Sequence, residues 1–198
     1  MSTETQKPDK REAILEATLE LIAEQGFYNA PISQIAEKAG VGVGSIYRYF
    51  QDKDALIHEL FFYVIRKESA AILKGYHPDA PVREQFMQIC TGMIQFSVQY
   101  PKDTNFLDQY FHSPYGLSRR REVLLKQDRA DADAHPLATF FERAKAQQII
   151  KNLPLHALGA LTFGPILALL RDIRAGLIEY DADLMSKITG ACWDAVKL

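Results

Sequence analysis

AGVGVGSIYRYFQDKDAL, residues 39–56, places glycines at alternate positions, Gly40, Gly42 and Gly44, directly ahead of the aromatic run Tyr47, Tyr49 and Phe50. Such a stretch is either a phosphate-cradling loop or the turn of a helix-turn-helix. A dinucleotide fingerprint requires G-x-G-x-x-G after a strand, so that the pyrophosphate meets the N-terminus of the next helix. Here the third glycine comes one residue early, and residues 34–39 before it are spaced as a helix. The phosphate-loop pattern fails as well, because no Lys-Ser or Lys-Thr follows the glycines.

The helix-turn-helix reading fits the flanks. Ile35, Ala36 and Ala39 make a small apolar face, Gly40 supplies a left-handed turn, Val41 plugs inward, and Ile46 with Phe50 continue the core at i, i+4. On a wheel of the second short helix, Gly44, Ser45 and Arg48 project opposite Ile46 and Phe50. Tyr47 and Tyr49 flank that face, and Val43 leans by helical angle toward Ile46. The projecting side carries an arginine for bidentate contact with guanine, hydroxyls for phosphate oxygens, and a glycine that permits close backbone approach. Asp52-Lys53 opens the next helix, where unpaired backbone N–H groups and a lysine are placed to grip a phosphate.

The rest of the chain has helical periodicity throughout, and no Val/Ile/Thr-rich run bounded by turn residues stands out as a strand. Helices are expected at residues 9–25, 32–39, a short one ending at 50, then 53–74, 82–99, 103–112, 118–128, 136–150, 155–175 and 181–196. The fold class is therefore all-α. In the first helix Glu12, Glu16, Glu20 and Glu24 recur every fourth residue, a stripe of like charge expected to stay in water and to face away from nucleic acid.

The sequence from Ile35 to Leu56, IAEKAGVGVGSIYRYFQDKDAL, resembles the helix-turn-helix signature of the TetR family of bacterial transcription regulators. The family's Ile-Ala, Gly-Val, Tyr-x-Tyr-Phe and Lys-x-x-Leu positions are all present, and the likeness extends over residues 9–60. Beyond that it is architectural: total length, an all-helical remainder and a final helix pair like the one through which such proteins dimerise. The resemblance implies a helix-turn-helix DNA-binding domain at residues 1–54 and a helical effector-binding and dimerisation domain at residues 55–198. By the same resemblance the DNA contacts are Ser33 and Gln34, then Val43, Gly44, Ser45, Tyr47, Arg48 and Tyr49, then Lys53. One departure is Pro31, which starts a helix but donates no hydrogen bond where the family often has Thr or Ser.

The implied activity is that of a repressor, released from a palindromic double-stranded operator by a small apolar or aromatic effector, acting as a homodimer and needing no cofactor. Aromatic residues are abundant after residue 60, and Phe61, Phe62, Phe96, Gln109, Tyr110, His112 and Phe163 are the candidates to line an effector site. The alternative is a helical small-molecule carrier or enzyme that uses the helix-turn-helix only for packing; salt-sensitive retention on heparin or duplex DNA separates the two. Catalytic signals are thin, since the five histidines show no H-x-x-x-H or H-E-x-x-H spacing and no nucleophile elbow occurs. No enzyme is expected.

Composition agrees without deciding. The 198 residues are 47% hydrophobic and 24% charged, with net charge −2. Residues 1–54 hold six cations against nine carboxylates, so DNA binding is not advertised by net charge; Lys7, Lys10, Arg11, Arg48 and Lys53 are instead expected to share the side away from the acidic stripe. The densest basic run, Ser118-Arg119-Arg120-Arg121, falls outside the reader and is expected to be a solvated helix start. Cys90 and Cys192 sit among apolar residues without ligand spacing and are read as buried, reduced hydrophobes. The polar N-terminus suggests no export signal, which places the protein in the cytoplasm. Residues 153–170 carry no formal charge, close to the length that spans a bilayer, but they contain Pro154, His156, Gly159, Gly164 and Pro165. An interface helix apolar on all sides is the reading taken, not a membrane segment.

Overall fold

The computed structural model describes residues 9–118 and 136–198. Its helices are α1 (Lys10–Gln25), α2 (Ile32–Lys38), α3 (Val43–Tyr49), α4 (Lys53–Leu73), α5 (Val82–Gln99), α6 (Pro101–His112), α7 (Pro136–Ala146), α8 (Leu155–Thr162), α9 (Gly164–Arg174) and α10 (Ala182–Val196). The extended pairing among the described residues is one antiparallel bridge, Ile150 with Lys197, so the all-α expectation holds. The expected helix at 118–128 and the run Arg119-Arg120-Arg121 lie outside the described residues.

Two compact units emerge. Residues 9–66 and 102–118 form one, and residues 67–101 and 136–198 the other. The boundary expected at 54/55 falls in the first turn of α4, which runs on into the second unit. Residues 102–112 of α6 belong with the reader, and their contacts explain why. Asn105 Nδ2 donates to Ala23 O (2.8 Å), Gln109 Nε2 donates to Ile22 O (3.2 Å), and Lys102 Nζ bridges Glu20 (3.0 Å) and Glu24 (3.4 Å).

These contacts also correct the reading of the acidic stripe. Tyr63 Oη donates to Glu16 (2.5 Å) and Glu12 (3.3 Å), while Glu20 also pairs with Lys38 (2.9 Å). The stripe is thus partly engaged by α2, α4 and α6, with Glu16 and Glu20 half-buried, while Glu12 and Glu24 remain exposed to water as expected. Hydrogen bonds from Lys38 and Lys102 hold the Glu20 carboxyl below its ordinary range, and burial, followed by Glu16, pushes the Tyr63 hydroxyl up. With eight buried residues from Ile14 to Ala23, α1 is the central helix of its unit rather than a one-faced surface helix.

In the second unit Phe86 packs against Phe140, Phe163 and Trp193. A Cβ on Gly92 would come 2.8 Å from the Cα of Ile72, so this glycine lets α5 approach the end of α4. Cys90 and Cys192 are buried free thiols, and burial pushes Cys90 up, as suits inert core residues. The helix expected over 155–175 is two helices, α8 and α9, bent by 43° at Phe163. Pro165, in the first turn of α9, has no N–H to continue the α8 ladder, and its ring clashes with the preceding turn. Among the described residues no single helix is long and apolar enough to cross a membrane.

Candidate nucleic-acid interface

The turn that aims α3 is built by Gly40. Its φ of 67° is left-handed, its N–H bonds Glu37 O (3.1 Å), and the next N–H, of Val41, bonds Ala36 O (2.9 Å). This paired closure ends α2 and reverses the chain within a few residues. A side chain at 40 would be strained even though a Cβ there meets nothing within 4 Å. Pro31 precedes α2 with no side-chain cap, as its chemistry dictates; its carbonyl accepts from Gln34 N and Ile35 N, both at 3.1 Å.

Ile46 (1% exposed) and Phe50 (3%) fix α3 to the core. The opposite side is open: Tyr47 is 53% exposed, Tyr49 41% and Val43 42%, so Val43 faces outward more than its helical angle suggested. Gly44 and Arg48 are exposed and Ser45 is half-buried beside them, with Ser33 and Gln34 exposed on the first turn of α2. A Cβ on Gly42 or Gly44 would meet nothing within 4 Å, so neither glycine is needed for the chain's own packing.

Lys53 is less free than expected. Its Nζ donates to Phe27 O (2.8 Å), tying α4 to the α1–α2 loop, and desolvation holds the ammonium below the ordinary lysine range. Arg11 is likewise committed, to Glu59 at 2.5 Å and over the Phe50 ring at 5.4 Å. Lys7 lies outside the described residues. Of the cations expected to share the DNA side, Arg48 and Lys10 are the exposed ones without an ion pair among the described residues.

The same unit holds an aromatic frame. Phe27 meets Phe106 and Tyr115, His58 meets Tyr110 and Tyr115, and Phe61 stacks on Tyr110 at 4.3 Å. Tyr115 Oη donates to Asp54 (2.8 Å), and burial, followed by that carboxylate, pushes the phenol up to about 12. Asp52 Oδ1 caps the start of α4 by accepting from Ala55 N (2.7 Å).

The seven residues expected at an effector site do not gather in either unit. Phe61, Phe62, Gln109, Tyr110 and His112 belong to the reader unit; there Tyr110 is 1% exposed under Phe61, Gln109 is spent on α1, and His112 is exposed beside the Asp108 carbonyl. Phe96 and Phe163 are buried in the other unit. A groove of about 490 Å³ in that second unit is lined by Ile72, Lys74, Glu84, Met87, Thr91 and Gln95 among others, and by none of the seven.

Residues 14–60 match the description of bacterial regulatory proteins of the tetR family, and residues 81–197 match the tetracyclin repressor-like C-terminal domain. The chain belongs to the TetR family. An uncharacterized HTH-type transcriptional regulator of Haemophilus influenzae is 31% identical over 108 residues, 54% of this chain and 58% of that protein. The HTH-type transcriptional regulator BetI of Klebsiella pneumoniae is 34% identical over 88 residues, 43% of this chain and 45% of its own. The match thus spans about half the length of these curated relatives. Over the whole fold, a TetR family transcription regulator from Marinobacter aquaeolei VT8 superposes with a TM-score of 0.78 at 25% identity, covering 95% of each chain. This TetR-family chain accordingly carries the family's helix-turn-helix domain in α1–α3 and a helical C-terminal domain.

One group that sequence reading passed over is Glu68. It lies on the α4 stripe with Val64 (0% exposed) four residues before it and Ile72 (1%) four residues after it. A carboxylate in that i−4, i+4 apolar frame was a legible signal.

Proposed function

We propose that this protein is a transcriptional repressor that binds a palindromic operator as a homodimer and releases it when a small molecule binds the C-terminal domain. The observation that carries the reading is the outward face of α3, where Arg48, Tyr47 and Tyr49 stand exposed around a glycine that the fold itself does not require. Selecting binding sites from random duplex DNA tests it. The expected product is a palindrome whose half-sites lie about 34 Å, or a multiple, apart. Recovery of no preferred sequence, or of a single half-site, overturns the proposal.

The proposed contacts are Ser33, Gln34, Val43, Gly44, Ser45, Tyr47, Arg48, Tyr49 and Lys53. Arg48→Ala is expected to relax sequence preference and weaken operator binding by about 1 to 3 kcal/mol. Lys53→Ala is expected to lower the salt slope by about one unit on every duplex, through a lost phosphate contact. Because Lys53 Nζ also holds Phe27 O, the same variant should melt at a lower temperature. Binding across a salt series reads the first effect and thermal melting the second.

Homodimerisation is supported by the outward side of α8 and α9. Ala160, Leu161, Gly164, Pro165, Leu167 and Ala168 are all exposed there, with Leu161 at 41% and Leu167 at 40%. A Cβ at Gly159, Gly164 or Gly190 would meet nothing within 4 Å, which leaves room for close approach by a second copy. In this proposal α8 and α9, which replace the single helix expected over 155–175, pack with α10 of each chain against their counterparts in a second copy, which accounts for the long uncharged run without lipid. Light scattering at micromolar concentration should give twice the chain mass, and a soluble monomer would contradict the arrangement.

Switching is proposed to act through α4, a single 21-residue helix that contributes to both units. A ligand that binds better when α4 is displaced shifts the population away from the DNA-binding arrangement. The coupling, about 1 to 3 kcal/mol, must be reciprocal: operator DNA weakens ligand binding by the factor by which ligand weakens operator binding.

A further inference from the structure

We infer that Tyr28, in the turn between α1 and α2, is a further operator contact, its hydroxyl donating a hydrogen bond to a backbone phosphate at the edge of each half-site. The inference rests on the reading that α3 enters DNA. Tyr28 is 89% exposed, more than any other large hydrophobic side chain among the described residues. Among those residues its ring lies against no other ring and its hydroxyl has no hydrogen-bond partner.

A lone exposed ring on a loose loop would carry little meaning. This turn is tightly built. Gly26, at φ 80°, donates its N–H to Ile22 O (2.8 Å), and Asn29 Nδ2 donates to Gln25 O (3.0 Å), so the turn closes on α1 from both sides of Tyr28. Phe27 is buried against the rings of Phe106 (5.9 Å) and Tyr115 (5.5 Å), and Ala30 is fully buried. The Tyr28 side chain is therefore held out from a fixed backbone. Ordering it on DNA costs little, because a tyrosine has few torsions to lose.

Position selects the partner. Phe27 O, in the peptide that leads into Tyr28, accepts from Lys53 Nζ at 2.8 Å, which sets Tyr28 beside the ammonium proposed to grip a phosphate. On its other side, Ser33 and Gln34 stand exposed on the first turn of α2, so Tyr28 falls between two groups of proposed contacts. The residues of that stretch leave it the part of donor: Asn29 commits its amide to Gln25 O, and Pro31 has neither an N–H nor a side-chain donor. Asp52 and Asp54 accept from Ala55 N (2.7 Å) and Tyr115 Oη (2.8 Å), so neither takes the Tyr28 hydroxyl. A tyrosine hydroxyl is an ordinary donor to phosphate oxygen, and such a contact fixes register without reading a base.

The test uses the full chain, Tyr28→Phe and Tyr28→Ala, with the selected operator, a random duplex, and operators carrying one neutral methylphosphonate at a time. Tyr28→Phe is expected to weaken operator and random duplex alike by about tenfold with an unchanged salt slope, because the lost donor is neutral and meets no base. Both variants should melt with the wild type, since the side chain packs on nothing. One methylphosphonate position in each half-site should weaken the wild type and affect Tyr28→Phe far less, a coupling that a merely structural role does not produce. If the wild type binds its operator and Tyr28→Phe binds equally well, the Tyr28 contact falls and the helix-turn-helix reading stands. A loss that couples to no phosphate, or that comes with lower melting, also overturns the contact. If the wild type selects no operator at all, the repressor reading fails and this contact with it.

Discussion

Gly44→Leu is expected to leave the protein folded and to weaken operator binding at least about a hundredfold, equivalent to roughly 2.7 kcal/mol. The free chain has room for the change, because a Cβ at this position meets nothing within 4 Å and the backbone is not left-handed. Leucine is also the better helix former, by less than about 1 kcal/mol, so α3 should be no less stable. In the proposed complex the same side chain would fill the space through which the α3 backbone approaches the groove floor. It would hold Arg48 and both tyrosines away from base edges and phosphates together, which is why the loss exceeds that of any single contact. Thermal melting and binding to the selected operator read the two effects separately. A variant that binds like the wild type would mean that α3 does not approach DNA through this face.

The second large effect is on stability and its pH dependence. Desolvation by burial pushes the Glu68 carboxyl up to about 7 from an ordinary value of 4.5, so the folded state is expected to hold the proton more tightly than the unfolded one. For a raised pKa the stability is fully present below the unfolded value and is lost as pH rises through the folded value. Between pH 4.5 and 7 the loss accumulates to an upper bound on the order of 3 kcal/mol, with a plateau above. Glu68→Gln removes the titration. The variant should therefore match the wild type near pH 4.5 and exceed it by up to that amount at pH 8. Denaturant unfolding of both proteins at the two pH values measures the gap, and a gap independent of pH would show that the Glu68 carboxylate is solvated.

The helix-turn-helix was readable from local chemistry. Gly40 terminates α2 because a left-handed residue is required there, Ile46 and Phe50 pin α3 by their i, i+4 spacing, and the residues between them are left facing outward. None of this needs a distant partner. The bend between α8 and α9 was also written locally, in Gly164-Pro165, but the strong apolar continuity of residues 153–170 hid it.

The effector candidates were a different case. Phe61, Tyr110 and Phe163 are aromatic wherever they fall, and periodicity does not distinguish a ring that fills a core from one that lines a cavity.

By itself, then, the sequence determined the all-α class, the family, the turn before α3 and the outward set around Arg48, because each depends on residues within about one or two helical turns of one another. Tertiary structure decided which charges remained available. Arg11 and Lys53 look free along the chain, yet the fold sets Arg11 on Glu59, 48 residues away, and Lys53 on Phe27 O, 26 residues away. Glu20 and Glu24 look solvated, yet α6 brings Lys102 onto both. Glu68, by contrast, has no hydrogen-bond or ion-pair partner among the described residues. The physical reason is that an ion pair or a desolvated charge is a relation between elements that meet only after the chain has packed, whereas a turn or a helical face is a property of consecutive residues.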